Sequence, residues 1–176
     1  INKMEFNIPI INIDEDCNNN DFKLTSYQIF LKNFISNNTP YNSILLYHGT
    51  GTGKTCSAIS IAENFRDIYS REKNKIIILS PGKVEQGWYK NIYNPLINNK
   101  QCTKDTYKNL TKKRKVNEKY NIEFDRNQMI NKYYSFYGYL EFANKIKNII
   151  NKNGEIEGQK IIYNLYSNRV LIIDEA

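Results

Sequence analysis

Ser43-Ile-Leu-Leu-Tyr-His-Gly-Thr-Gly-Thr-Gly-Lys-Thr55 decides the fold of this 176-residue chain. The apolar run predicts a buried strand over 43–47, the glycines a tight loop, and Gly53-Lys54-Thr55 the opening of a helix. That order is what a triphosphate cradle requires. Glycines let the backbone curl so that successive N–H groups face phosphate oxygens, where side chains would intrude. The helix that follows adds the positive end of its dipole. Lys54 can reach the β- and γ-phosphates, and the Thr55 hydroxyl can ligate Mg²⁺. One position departs from the G-x-x-x-x-G-K-[ST] pattern: the first glycine is replaced by His48.

The partner of that loop stands at the far end of the sequence. Arg169-Val-Leu-Ile-Ile-Asp-Glu-Ala176 is an apolar run closed by two acids, which suits a strand covered on both faces in a parallel sheet. Ligands of open α/β sheets sit at the carboxyl ends of strands, so Lys54 and Asp174 can converge although they are far apart in sequence. Asp174 would hold Mg²⁺, directly or through water, and Glu175 would polarise the attacking water. A strand ending in a solvated acidic turn is the plainer alternative, and it loses weight beside an upstream phosphate loop.

His48-Gly-Thr-Gly-Thr-Gly-Lys-Thr55 resembles the A-x-T-G-x-G-K-T of superfamily 2 helicases and translocases at every fixed position except the first, and Asp174-Glu175-Ala176 looks like the start of their DExH or DEAD box. Between the two, Ile76-Ile-Ile-Leu-Ser-Pro-Gly-Lys83 followed by Trp88 is similar to their motif Ia. The upstream Tyr27-Gln28 and the aromatic stretch Tyr134-Ser-Phe-Tyr-Gly-Tyr-Leu-Glu-Phe142 narrow the resemblance to the transcription helicases of large cytoplasmic DNA viruses, the early-transcription-factor large subunits and related nucleoside triphosphatases. It covers roughly residues 22–176.

The resemblance implies an α/β fold: a RecA-like P-loop NTPase lobe, mostly parallel in its sheet, flanked by helices and cut after the acidic-box strand. It implies ATP and Mg²⁺ as cofactors, with His48, Gly49, Thr50, Gly51, Thr52, Gly53, Lys54 and Thr55 around the phosphates. Thr55 and Asp174 would hold the metal, and Lys54, Asp174 and Glu175 would carry the chemistry. Gln28 matches an adenine-reading glutamine, with a polar residue on an exposed helix face as the alternative. Ser80, Pro81, Gly82 and Lys83 match the turn that touches nucleic-acid backbone, with an ordinary strand-end turn as the alternative. The partners implied are nucleic acid, DNA in preference to RNA, and a viral RNA polymerase or second transcription-factor subunit. The place implied is the host cytoplasm or the virion. In the resembling family a second lobe supplies arginines that stabilise the transition-state charge, a contribution of ~10³–10⁵ in rate in phosphoryl transfer, so this lobe alone is expected to turn over poorly.

Composition agrees with a globular lobe: charged residues make up 24% and hydrophobic residues 40%. No apolar run approaches the ~20 residues of a membrane span. Cys17, Cys56 and Cys102 are odd in number and lack C-x-x-C spacing, and His48 is the one histidine. A zinc site or disulfide framework is therefore not expected, a reducing compartment is, and Cys56 reads as a small buried filler. The formal net charge of +7 suits a polyanionic partner without distinguishing DNA from RNA. Asparagine occurs 27 times beside abundant isoleucine, lysine and tyrosine, all encoded by A/T-rich codons, so Asn-x-Thr matches and aromatic richness carry no functional weight.

Along the chain, residues 1–21 read as an extension. Thr25 is a candidate N-cap for a helix to about Ser36. Ala58, Ile59, Ile61, Ala62 and Phe65 form one apolar stripe expected to pack on the sheet. Ile76–Leu79 is the second predicted strand, and Val84 to Ile97 a helix. Residues 98–128 carry Lys100, Lys104, Lys108, Lys112, Lys113, Arg114, Lys115 and Lys119 against few acids. This basic insertion reads as a solvated loop or as a phosphate-backbone contact that adds affinity without regard to sequence. A strand and helix follow over 129–150, with Phe142, Ile146, Ile149 and Ile150 on one face, and Gly154 and Gly158 punctuate a turn before the last strand. The function expected is a nucleic-acid-dependent ATPase. An AAA-type or restriction-type P-loop ATPase and a non-catalytic transcription-factor scaffold are the alternatives. A GTPase is disfavoured, since no N-K-x-D motif occurs.

Overall fold

The computed structural model describes residues 22–49, 51–71, 74–96, 101–104, 106–107 and 122–175. Strands β1 (Ile76–Leu79), β2 (Tyr134–Tyr137) and β3 (Leu171–Ile173) form a parallel sheet in the order β2-β1-β3. Ile76 stands opposite Tyr134 on one side, and Ile77 opposite Leu171 on the other. None of the four β1 residues is more than 7% exposed. Three isoleucines and a leucine suit that place, because a central strand of a parallel sheet is covered on both faces and needs no polar alternation.

Helices α1 (Ser26–Phe34), α2 (Lys54–Glu63), α3 (Arg66–Arg71), α4 (Glu85–Ile92), α5 (Ile122–Ile130), α6 (Tyr139–Asn153) and α7 (Glu155–Tyr166) surround the sheet, with a 3₁₀ turn at Gly82–Val84. The main core joins Ile59 and Ala62 of α2 to Ile76 and Ile78 of β1, Trp88 and Ile92 of α4, Ile130 of α5 and Tyr134 of β2. A smaller core gathers Leu31, Ile35 and Ile61, with Phe34, Tyr41, Leu46 and Phe65 against them. The apolar positions of α2 and of the turn after it are thus split between two cores. Ile59 and Ala62 face the sheet, while Ile61 and Phe65 face α1, and the single expected stripe is corrected accordingly.

Residues 43–47 do not form the strand expected of them. The segment runs outside the sheet, with Leu45 88% and Tyr47 94% exposed, and only Leu46 joins a core. An apolar run becomes a strand only where another strand offers a ladder for its N–H and C=O groups. No described strand lies beside it. β3 is also less covered than its sequence predicts: Leu171 and Ile173, which share one face of the sheet, are about half exposed, while Ile172 on the other face packs against the main core.

The segment expected as a basic loop is partly built into the core. Gln101, Cys102, Thr103 and Tyr107 are buried, Thr103 Oγ1 donates to the Ile92 carbonyl at 2.6 Å, and α5 occupies its end. Cys102 is disulfide-bonded to Cys56 of α2, with their Cα atoms 5.1 Å apart, which corrects the expectation of unpaired cysteines. Lys104 is exposed, whereas Lys100, Lys108, Lys112, Lys113, Arg114, Lys115 and Lys119 lie outside the described residues, as does the extension 1–21. Gly158, expected in a turn, sits inside α7, where a Cβ would come within 2.8 Å of the Ile150 backbone, so it lets α6 and α7 approach closely. Phe142, Ile146, Ile149 and Ile150 share the covered face of α6 as expected.

A buried carboxylate fastens these pieces to α2. Glu63 accepts from the Tyr134 and Tyr107 hydroxyls, the latter at 2.9 Å, and pairs with Arg66 at 2.8 Å. The Arg66 guanidinium lies over the rings of Tyr107 and Tyr133. Burial raises the Glu63 carboxyl above its usual range, despite the tyrosine hydrogen bonds and the Arg66 charge that oppose the rise. The folded state therefore holds the proton more tightly than the unfolded chain, so this group's contribution to stability is full below the unfolded value of 4.5 and declines as pH rises through the raised folded value. Glu63→Gln should flatten that decline over the same window while costing stability at low pH through imperfect hydrogen bonding. Urea midpoints of both proteins across pH 4 to 8, a span of roughly one carboxylate titration range, check this. Parallel curves for the two proteins would contradict it.

Candidate nucleotide-binding site

The phosphate loop is shaped by two glycines with left-handed backbones, Gly51 at φ +76 and Gly53 at φ +85. Side chains rarely tolerate that region, which is why glycine stands there. Gly53 is the N-cap of α2, so Lys54 and Thr55 open the helix where backbone N–H groups lack intrahelical acceptors. The Gly53 carbonyl accepts from the Ser57 amide at 3.0 Å, and the Thr52 hydroxyl donates to the Gly49 carbonyl at 2.8 Å, closing the loop on itself. Thr50 lies outside the described residues.

Helix α1 braces this loop from behind. Gln28 is only 4% exposed; its Oε1 accepts from the Thr25 amide at 3.0 Å and its Nε2 donates to the Gly53 carbonyl at 3.3 Å. Tyr27 donates to the Thr52 carbonyl, and its ring meets His48 edge-on at 5.4 Å. Gln28 is therefore not a polar residue on an exposed helix face. Its amide spans from its own helix start to the loop. His48, standing where a glycine was expected, has a buried Nδ1 without a hydrogen-bond partner among the described residues.

On the other side, the parallel sheet brings the ends of β1, β2 and β3 to one edge. Asp174 donates its amide to the Leu79 carbonyl at 2.9 Å, and Ser80 donates its amide to the Tyr137 carbonyl at 3.1 Å. Asp174 thus lies beside the Ser80–Lys83 turn, a proximity invisible to sequence spacing. Its carboxylate Oδ2 accepts from the Trp88 indole at 3.1 Å, and its main-chain carbonyl accepts from the Tyr139 hydroxyl. Glu175 is exposed and has a φ of +59, a conformation uncommon for a residue with a Cβ. No ion pair or hydrogen bond among the described residues links Lys54 to either acid. Of the expected nucleic-acid residues, Gly82 and Lys83 are exposed, Pro81 is half-buried, and Ser80 is 2% exposed, beneath the surface rather than on it.

Residues 21–176 match the family model for the type III restriction enzyme, res subunit. The chain belongs to that family. Two proteins of Acanthamoeba polyphaga mimivirus, each named "Putative ATP-dependent RNA helicase", are 35% and 32% identical to it over 93% and 85% of its length. The chain spans 16% and 23% of those two relatives. An early transcription factor large subunit homolog of African swine fever virus is 47% identical over 27% of this chain and 4% of its own length. No solved structure matches. The parallel sheet with helices around it is the RecA-like, superfamily 2 helicase-type fold that res-subunit membership entails.

The loop residues fit a nucleoside triphosphate with its divalent cation. Left-handed Gly51 and Gly53, a free helix start, and a hydroxyl and carboxylate as oxygen donors are the right chemistry for both groups. Gly53→Ala tests the cradle. The added Cβ costs ~1–2 kcal/mol from its φ alone and would stand 2.8 Å from Gln28 Nε2. Stability should fall by at least that amount, and affinity for an ATP analogue with it. Gly82→Ala, which has open space around it, should leave both unchanged. Equal urea midpoints for the two variants would contradict this account of the loop.

Proposed function

We propose that the chain is the nucleotide-binding lobe of an ATP-driven motor acting on nucleic acid, of helicase or translocase type. The observation that carries this reading is a phosphate loop at the start of α2 together with a paired acid at the carboxyl end of β3 in a parallel sheet. Lys54 supplies a point charge for the β- and γ-phosphates. Thr55 and Asp174 supply oxygens for Mg²⁺, which when bound offsets the charge that develops on the phosphate oxygens. Glu175 orients and polarises the attacking water. The loop amides of 49–53 and the start of α2 receive the phosphates, with His48 at their edge.

Gln28 is proposed as the base-proximal residue, reading adenine by exchanging one of its two internal hydrogen bonds. Gly82 and Lys83 are the exposed part of the turn proposed to follow nucleic-acid backbone, acting by position and charge rather than base identity. DNA is favoured over RNA by the resemblance to early transcription factors, and the names of the mimivirus relatives keep RNA open as a substrate. Work in viral transcription, beside a polymerase or second factor subunit in the host cytoplasm or virion, completes the reading. Among the described residues no helix is long and apolar enough to cross a membrane.

Lys54→Ala should abolish binding of a fluorescent ATP analogue, and equal affinity in mutant and wild type would remove Lys54 from the site. Glu175→Gln keeps the size and an acceptor oxygen but loses the charge. In the full-length protein it should leave nucleotide affinity within a few-fold and lower nucleic-acid-stimulated hydrolysis by about 10²-fold or more, the scale of a lost general base. Normal hydrolysis by this variant would dismiss Glu175 as the activating acid. Absent stimulation in the wild type would favour the scaffold alternative.

A further inference from the structure

Trp88 is the one tryptophan of the chain, sits in the middle of α4, and is 2% exposed. Its ring belongs to the main core, with Ile76, Ile78 and Tyr89. A buried indole must place its single N–H against an acceptor. That acceptor is not a nearby main-chain carbonyl but Oδ2 of Asp174, at 3.1 Å and 86 residues away.

We propose that Trp88 is a positioning residue for Asp174: its N–H fixes one carboxylate oxygen and leaves the other to the cation that accompanies the nucleotide. The inference rests on the proposed ATPase function and assigns a role to a residue outside the phosphate loop and acidic box. Among the described residues three ties hold Asp174: its amide to the Leu79 carbonyl, its own carbonyl to the Tyr139 hydroxyl, and Oδ2 to Trp88. The first two set the backbone; only the third sets the rotation of the carboxylate. Indole suits this task because it donates one hydrogen bond and carries no charge. A lysine or arginine there would orient the acid equally well but would neutralise the charge a divalent cation needs. The rigid ring, packed against β1, also holds the donor still, as partners behind a metal ligand must.

Trp88→Phe keeps the packed ring and removes the donor. In the full-length protein the Mg²⁺ concentration that half-saturates ATP-analogue binding should rise by about 10-fold, the lower end of what lost outer-shell partners cost. Affinity measured in EDTA should not change, and a merely structural role would not separate the two. In 5-fluorotryptophan-labelled wild-type protein, the ¹⁹F resonance missing from Trp88→Phe should move when Mg²⁺ is added to the nucleotide complex. An unchanged Mg²⁺ midpoint in a variant that binds nucleotide normally would overturn the proposal and leave the ATPase reading intact. If Trp88→Phe fails to fold, Trp88→Tyr, which keeps an aromatic ring and lacks the indole, identifies the Trp88 resonance by its absence. A resonance indifferent to Mg²⁺ would then overturn the proposal, and a shift would support it. Wild-type binding that depends on neither Mg²⁺ nor Lys54 would overturn both readings.

Discussion

Parallel pairing on both sides of β1 is the constraint from which the candidate site follows. Ile76–Leu79 can be uniformly apolar only because β2 and β3 flank it and helices cover its faces. Parallel strands all end on the same edge, so Leu79, Tyr137 and Ile173 deliver Ser80, Gly138 and Asp174 side by side. An antiparallel β3 would have sent Asp174 to the opposite edge. The hydrogen bond from the Asp174 amide to the Leu79 carbonyl continues the ladder by one step past β3 and places the acid.

Helix α2 links that edge to the phosphate loop. It is held on two sides, by the sheet through Ile59 and Ala62 and by α1 through Ile61, and at its end by Glu63. A helix clamped in this way cannot rotate to relieve strain in the loop at its start. Left-handed Gly51 and Gly53 supply turns that lead the chain into that fixed start. Gln28 and Tyr27 add a brace from α1, donating to the carbonyls of Gly53 and Thr52. Carbonyls occupied behind the loop favour amides facing forward, the polarity an anion needs.

Much of this was legible in the sequence where a residue type has few alternatives. Glycine before Lys54-Thr55, four consecutive apolar residues at 76–79, and the helical spacing of Phe142, Ile146, Ile149 and Ile150 all led to the right element. What escaped was set by partners distant in sequence. Nothing in the spacing of Cys56 and Cys102 pairs them, since any two cysteines can meet once a chain folds back. Tyr107 and Gln101 looked like parts of a solvated basic loop because lysine dominates that stretch, yet they are buried. Gly158 read as a turn because helices disfavour glycine, and the cost is outweighed by the close approach to Ile150. At the site, Trp88 was visible as part of a motif, but its contact with Asp174 depends on which strand lies next to β1.

The misplaced strand at 43–47 and the exposed face of β3 are apolar surfaces that no described element covers. Both sequences are apolar enough to be covered, and both have backbone groups without a ladder partner among the described residues. Burial of a parallel strand is a property of its neighbours rather than of its own composition, so hydrophobicity reports the environment a segment was selected for, and exposure reports the environment present. Where the two agree, as at β1, the local structure is self-sufficient. Where they disagree, as at Leu45, Tyr47, Leu171 and Ile173, the apolar surface costs about 25 cal/mol for each Å² left in water; residues 43–47 join no described strand, whereas β3 pairs with β1 on one side. The phosphate loop is nevertheless formed, because its brace comes from α1 and its anchor from α2 rather than from the strand that precedes it.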